Sequence, residues 1–529
     1  MRNFYEAGRS VTYGVNGAVA TSSTHSSQVA LTILKSGGNA MDAAIAACAV
    51  QCVVDPMQTG IGGDCFALVA MGGSSAVEGL NGSGKAPGAL TADYLIGQGF
   101  TKMDPVSPHS VTVPGAIDAW VGLHKKFGSM DFADLLQPAI DFAENGFVVT
   151  QRTSVDWELG VSKLLKNQAA SDIYLKNGKA PAAGTVWKLP KLAATLKTIA
   201  KGGRAVFYEG EMAEKMVASL KAAGGVHEEQ DFSSVSADLV GSITSEYQGN
   251  KIHQIPPSGQ GITALIMLNI LKKYDLSGLD PNGSQRLHLE AEAARLAYLA
   301  RDKYVADPTQ ADVPLDMLLS DEFADQLNSH IDVGKAGDPT GAYAMERHRD
   351  TIYASIVDRD GNAVSFINSL YQGFGSGIAC PDTGVLFQNR GFGFVVDPDH
   401  PNCVAPGKRP LHTIIPGMVT RGNQATICYG VMGGGYQPVG HSHVLTNIWD
   451  FGMDPQEAID SPRAFYNAGI LEVEEGIPAG VRQELSDMGY QLQNTDMPLG
   501  GGQIIAINPE TGVLSAGSES RKDGCALAY

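Results

Sequence analysis

The sequence predicts an α+β protein built in layers, an αββα body rather than beads on a string. Three observations predict it. Helical patterns crowd residues 1–350, strand patterns dominate residues 351–529, and no internal repeat or low-complexity linker divides the chain. A length of 529 residues would by itself allow two to four domains. The 63 glycines and 26 prolines are spread over many loops instead of marking linkers.

The first strong element is "KSGGNAMDAAIAACAVQCVVDP", a helix with Asn39 as N-cap and Pro56 beyond its stop. Small residues at Ala43, Ala44, Ala46, Ala47 and Cys48 face all round it, which suits a helix packed closely between layers. "TGIGGDCFALVAM" reads as a glycine turn feeding a strand. Helical patterns follow at 114–127, 132–145 and 191–201, then in "QGITALIMLNILKKYDL" and "SQRLHLEAEAARLAYLARDKYVADP". Strand patterns cover 351–358, 363–371, 425–429, 504–507 and 513–515.

Composition removes several function classes. The chain is 43% apolar and 18% charged, ordinary for a globular protein, and no stretch approaches the roughly 20 apolar residues of a membrane span. "MRNFYEAGRS" has no apolar core of a secretory signal, so the cytoplasm is expected. A net charge of −18 argues against nucleic acid, whose binding needs a basic surface. The seven cysteines form no CxxC pair and sit in apolar contexts, so buried free thiols are expected, with no metal and no cofactor.

Several motifs dissolve on inspection. Gly79 to Ala86 fits G-x-x-x-x-G-K but puts Ala86 where a phosphate loop needs a hydroxyl, and Pro87 and Gly88 follow; it is expected to be a loop. His441 and His443, two apart, could share a metal only on a strand. Gly375-Ser376-Gly377 lacks the strand before and helix after that a serine-hydrolase elbow requires.

Thr351 differs, because its geometry can be worked out. The charged run 347–350 ends where an apolar alternation begins, turns at Asp360-Gly361 and runs back. A three-residue loop with Gly361 left-handed pairs position 358 with 362, which puts Thr351 opposite Ser369 with Cβ atoms about 5 Å apart. A two-residue loop would put Leu370 there instead. A threonine–serine cross-strand pair is also an ordinary sheet contact, so spacing alone leaves both roles open.

At this point the chain resembles the γ-glutamyltransferase family of N-terminal-nucleophile hydrolases, nearly end to end. The likeness lies in "ALTILKSGGNAMDAAIAACAV", "DPMQTGIGGDCFALV", "SVTVPGAIDAW", "LLQPAIDFAENGFVV", "PPSGQGITALIMLNIL", "EAARLAYLARDKYVADP", "APGKRPLHTIIPGMV", "GVMGGG" and "SESRKDGCALAY". The resemblance implies a four-layer αββα sandwich and a proenzyme cut between Asp350 and Thr351. Residues 1–350 and 351–529 would then be two subunits of one domain, with a dimer of such pairs left open. Thr351 would be the nucleophile, Ser369 the hydroxyl beside it, and Gly433 and Gly434 the donors of the oxyanion hole. Cleavage has a physical logic: a peptide N–H is no base, whereas a free α-amine has a pKa of about 7.7–8.0.

The chain departs from the family pattern at the substrate pocket. Ser83 stands where typical members carry the arginine for the substrate's α-carboxylate. Arg390 and Gly393 replace their acidic pair, His412 and Thr413 their serine pair, and Tyr371 their asparagine. A site built to pair an ammonium group does not keep that specificity once its carboxylates are gone. The pattern resembles a divergent branch that includes oxamate amidohydrolase, of purine breakdown, and cephalosporin-acylase-like proteins. It implies a small anionic amide, oxamate-like, with Ser83, Tyr371, Arg390, His412 and Thr413 around it. Lys408 and Arg409 fall nearby, with a structural role at least as well supported. Two alternatives stay open: a γ-glutamyl hydrolase, transferase or acylase, and a non-catalytic binding protein on the same fold.

Overall fold

The computed structural model describes residue 5 and residues 7–338 and 350–529. The charged run at 347–349 and part of the N-terminal stretch weighed for a signal lie outside the described residues.

The helix at Ala40–Val54 begins where its capping chemistry predicts. The Asn39 side chain accepts from the N–H groups of Met41 and Asp42, and Asp42 accepts from the Asn39 N–H. Every residue of this helix is buried, which its small side chains permit. It packs on the helices Thr24–Lys35 and Phe132–Asn145 and on the strand Ile352–Asp358. The pattern at 191–201 belongs to a longer helix, Pro190–Tyr208, broken at Gly203.

Two seven-stranded antiparallel sheets form the middle of the molecule. One runs Cys525–Ala528, Gly17–Thr21, Ile352–Asp358, Ala363–Ser369, Asp64–Ala70, Val77–Gly82 and Asp238–Gly241. The other runs Thr12–Gly14, Leu514–Ser518, Gly501–Ile507, Gln424–Met432, Gly417–Arg421, Asn250–Gln254 and Ile243–Tyr247. Each sheet mixes strands from before and after residue 350. The Gly79–Ala86 motif is not simply a loop: residues 77–82 are a strand paired with Asp64–Ala70. Its glycines and asparagine hid that from a propensity reading.

Three apolar cores separate the four layers. Ala18, Phe66, Tyr353, Val357, Ile367, Met418, Cys428 and Ile505 fill the space between the sheets. Ile352, Ala354, Ile356, Val364 and Phe366 face the helices of the first layer. Val419, Ile427, Val431 and Ile504 face the helices Gly261–Leu271, Ser284–Tyr304 and Gln437–Trp449 on the far side. The two-residue period of a strand therefore sends Tyr353, Val357, Ala363 and Ile367 between the sheets, and Ser369 shares their parity. Tyr353 fits against Gly430, where any Cβ would lie 2.4 Å from its ring.

All seven cysteines are free, six buried and Cys525 half-buried. Among the described residues no helix is long and apolar enough to cross a membrane, and no cluster of three metal-ligating side chains occurs. His441 and His443 lie on the helix Gln437–Trp449, not on a strand. A helix turns about 200° over two residues, so they face apart. His441 meets Gln254, and His443 meets Glu290 and Arg286.

Candidate active site

The hairpin register is the one that the three-residue loop requires: Ile352 pairs with Asn368, Tyr353 with Ile367 and Val357 with Ala363. Gly361 is left-handed at φ 77°, and the Asp358 N–H donates to the Asn362 carbonyl. Continued by one position, the register brings the Thr351 hydroxyl to 2.9 Å from that of Ser369. Thr351 precedes the strand proper, with φ 135°, and is almost fully buried. The strand forecast to reach Tyr371 ends at Ser369, because Tyr371 turns left-handed at φ 81° and its N–H donates to Ser369 Oγ at 2.9 Å.

On the other side of the Asp350–Thr351 bond, the Gly373 N–H donates to the Asp350 carboxylate at 2.6 Å. Burial pushes the Asp350 carboxyl up to about 6, against the pull of Lys522 and Lys163. The Thr351 N–H donates to Gln58 Oε1 at 2.9 Å.

Asp64 lies opposite Ser369 in the adjoining strand. It accepts from the N–H of Gly84 at 2.9 Å, from Gln388 at 2.8 Å and from His412 Nε2 at 3.0 Å. The Ile414 N–H donates to His412 Nδ1 at 3.3 Å. Burial, then the neighbouring Arg390, lower the His412 pKa to about 4, so it is a neutral imidazole at pH 7. Both ring nitrogens are thus engaged within the protein. His412 is a strut for this wall, not the free substrate ligand expected from its position.

Arg390 is fully buried on a short turn at Arg390–Gly393. Its Nη1 donates to Thr413 Oγ1 at 2.8 Å, and the guanidinium lies 3.8 Å from the centre of the Tyr371 ring. Its Nε and Nη2 have no hydrogen-bond partner among the described residues. Burial lowers its pKa to about 10, which leaves it charged at neutral pH. These two nitrogens form one edge of the guanidinium, spaced for the two oxygens of a carboxylate.

The glycine run is held from behind. Gly433 and Gly434 have φ of 126° and 56°, and a Cβ on Gly433 would lie 2.8 Å from Gly500 Cα. Gln260 donates to the carbonyls of Gly434 at 3.0 Å and Thr413 at 2.8 Å, and Arg301 holds Gln260 at 2.9 Å.

Hydrogen bonds and ring contact thus link Thr351, Ser369, Tyr371, Arg390 and Thr413, with Gln260 tying Thr413 to Gly434. Ser83 stands apart: its hydroxyl donates to the Gly84 carbonyl at 3.4 Å, and it lines a separate cavity of about 200 Å³ with Lys85 and Asp231. Lys408 and Arg409 serve structure, donating to Pro401 O and Ser83 O. Gln58, Asp64 and Gln260 were missed in the sequence. Only their place in the glycine-rich turns "MQTGIGGD" and "PPSGQG" hinted at them.

A two-sheet sandwich between helical layers, with a threonine hydroxyl at the head of a central strand, defines an N-terminal-nucleophile hydrolase fold. A family model described as gamma-glutamyltranspeptidase matches residues 26–529, and the chain belongs to that family of amide-hydrolysing enzymes. It is 37% identical to the glutathione hydrolase-like YwrD proenzyme of Bacillus subtilis over 513 residues, covering 95% of this chain and 96% of the relative. It is 31% identical to the oxamate amidohydrolase proenzyme of Klebsiella pneumoniae, covering 95% and 96%. The crystal structure of cephalosporin acylase from Bacillus halodurans superposes with a TM-score of 0.93 at 39% identity, covering 100% of this chain and 98% of that one.

Proposed function

We propose that this enzyme matures by cutting its own Asp350–Thr351 bond and then hydrolyses a small anionic amide, with oxamate preferred. In maturation the Thr351 hydroxyl attacks the Asp350 carbonyl carbon, the C–N bond breaks, and water hydrolyses the resulting ester. Residues 1–350 and 351–529 remain together because each of the two sheets contains strands from both segments. The freed α-amine then takes the Thr351 hydroxyl proton as Oγ attacks the substrate carbonyl. Ser369 supports the nucleophile, and the N–H groups of Gly433 and Gly434 receive the oxyanion. Ammonia leaves with the proton, and water releases the acyl group; oxamate would give oxalate.

The observation that carries the substrate reading is the buried Arg390, whose free edge matches one carboxylate. Burying a guanidinium with two unpaired donors is costly unless a ligand completes them. Tyr371 and Thr413 fix its plane. Similarity to a glutathione hydrolase-like protein favours a second reading, a γ-glutamyl substrate. Mature enzyme supplied separately with oxamate and with γ-glutamyl-p-nitroanilide separates them: oxamate turnover supports the first, and efficient turnover of only the anilide refutes it. On a denaturing gel, wild type is expected as two fragments and Thr351→Ala as one full-length band.

A further inference from the structure

A second polar chain reaches Thr351 at its backbone N–H, while Ser369 meets its hydroxyl. Gln58 Oε1 accepts from the Thr351 N–H at 2.9 Å, and Gln58 Nε2 donates to Asp156 Oδ2 at 3.0 Å. Asp156, on the helix Gln151–Leu159, receives Arg152 Nε at 2.9 Å on both oxygens and Lys522 Nζ at 3.4 Å. Gln58 is 3% exposed, and Asp156, Lys522 and Asp350 line one cavity of about 430 Å³. None of the catalytic roles above uses Gln58 or Asp156.

We propose that Gln58 positions the α-amine of Thr351 for its work as base, and that Asp156 fixes which end of the Gln58 amide faces that amine. The inference rests on Thr351 being the N-terminal nucleophile. A carboxamide accepts at one end and donates at the other. In the uncut chain the Thr351 N–H can only donate and an ionised Asp156 can only accept, so both select the same amide orientation. Cleavage removes half of that constraint, because a free amine both donates and accepts. A flipped amide would point Nε2–H at the amine's lone pair, the pair that must take the Thr351 Oγ1 proton. With Oε1 turned to the amine, one N–H is held and the lone pair stays free for the hydroxyl. Asp156 is equipped to prevent the flip: burial opposes its ionisation, yet Lys522 and Arg152 outweigh burial and keep its pKa lowered.

The test uses p-nitrophenyl acetate, an activated ester that needs no matched acyl pocket, and follows acetylation of the 351–529 subunit by mass. In Asp156→Asn the new amide can donate to Gln58 and permit the flip. The limiting acylation rate is expected to fall about tenfold while the half-saturating concentration stays within about twofold, the signature of an interaction that acts in the transition state. The exchanged pair Gln58→Glu with Asp156→Asn restores an acceptor toward the amine whichever way it turns. It is expected to recover to within about threefold of wild type. An Asp156→Asn rate within twofold of wild type, a loss confined to half-saturation, or an exchanged pair no faster than Asp156→Asn overturns the inference. If Asp156→Asn stays uncut, an exchanged pair that cuts and acylates supports it, and one that stays uncut overturns it. An uncut wild-type chain overturns the nucleophile reading and this inference together, whereas a cut wild type indifferent to Asp156→Asn overturns only the latter.

Discussion

Replacing Arg390 by Met separates binding from stability, because the two are expected to move in opposite directions. The guanidinium is fully buried and bonded to Thr413, and two of its donors have no partner among the described residues. Each orphaned donor costs about 1–3 kcal/mol, while the Thr413 bond returns about 1 kcal/mol. A methionine of similar length removes all three at once, so the fold is expected to lose nothing and to gain on the order of 1 kcal/mol. For a chain of this size that is about 1 °C in thermal midpoint. Binding behaves otherwise. A carboxylate on the free edge makes two charge-assisted bonds, and losing them is expected to cost about 3 kcal/mol, a factor of roughly 150 in KM. Since this contact is present in ground and transition states alike, kcat for oxamate is expected to change much less than KM. The assay is steady-state hydrolysis of oxamate, with thermal midpoints measured with and without excess oxamate. Wild type is expected to rise with ligand and Arg390→Met to show no rise. An unchanged KM, or a midpoint lowered by several degrees without ligand, would refute the reasoning, because Arg390 would then be a satisfied structural ion.

Three further outcomes are expected. Ser369→Ala removes the hydroxyl 2.9 Å from that of Thr351, the proposed nucleophile, and is expected to lower kcat by roughly 10- to 100-fold with KM little changed, measured on mature enzyme. Gly433→Ala places a Cβ 2.8 Å from Gly500 Cα at a φ of 126°, so the loop must shift; a loss of about 100-fold or more in kcat is expected while maturation on a gel reports whether the fold survives. In the uncut Thr351→Ala chain, the Asp350 pKa of about 6 lies above its ordinary value of 3.8. The folded state therefore binds the Asp350 proton more tightly than the unfolded one, and that stabilisation is full below about pH 4 and lost as pH rises through 6. Adding Asp350→Asn is expected to flatten this part of the midpoint–pH curve; curves of identical slope between pH 4 and 6 would count against it.

How much of this was legible in the sequence follows from where each constraint acts. The Ala40–Val54 helix and the 352–369 hairpin are set by neighbours in the chain. Asn39 and Asp42 cap the one, and a three-residue turn with Gly361 fixes the other. A strand's period of two then dictates that Thr351 meets Ser369 once the turn length is known. The edge of the glycine motif at 77–82 and the strands at 238–254 were not legible, because pairing partners far away, not local propensity, hold them in place. The site divides in the same way. The sequence by itself determined the hairpin that carries Thr351 and Ser369, and its resemblance to the family marked Ser83, Arg390 and Gly393 as departures from the expected pattern. Only the tertiary structure decided that His412 is a strut on Asp64, 348 residues away, that one edge of Arg390 has no partner among the described residues, and that Gln58 reaches Thr351 across 293 residues. Hydrogen-bond partners of buried side chains are chosen by packing in three dimensions, and no spacing along the chain records them.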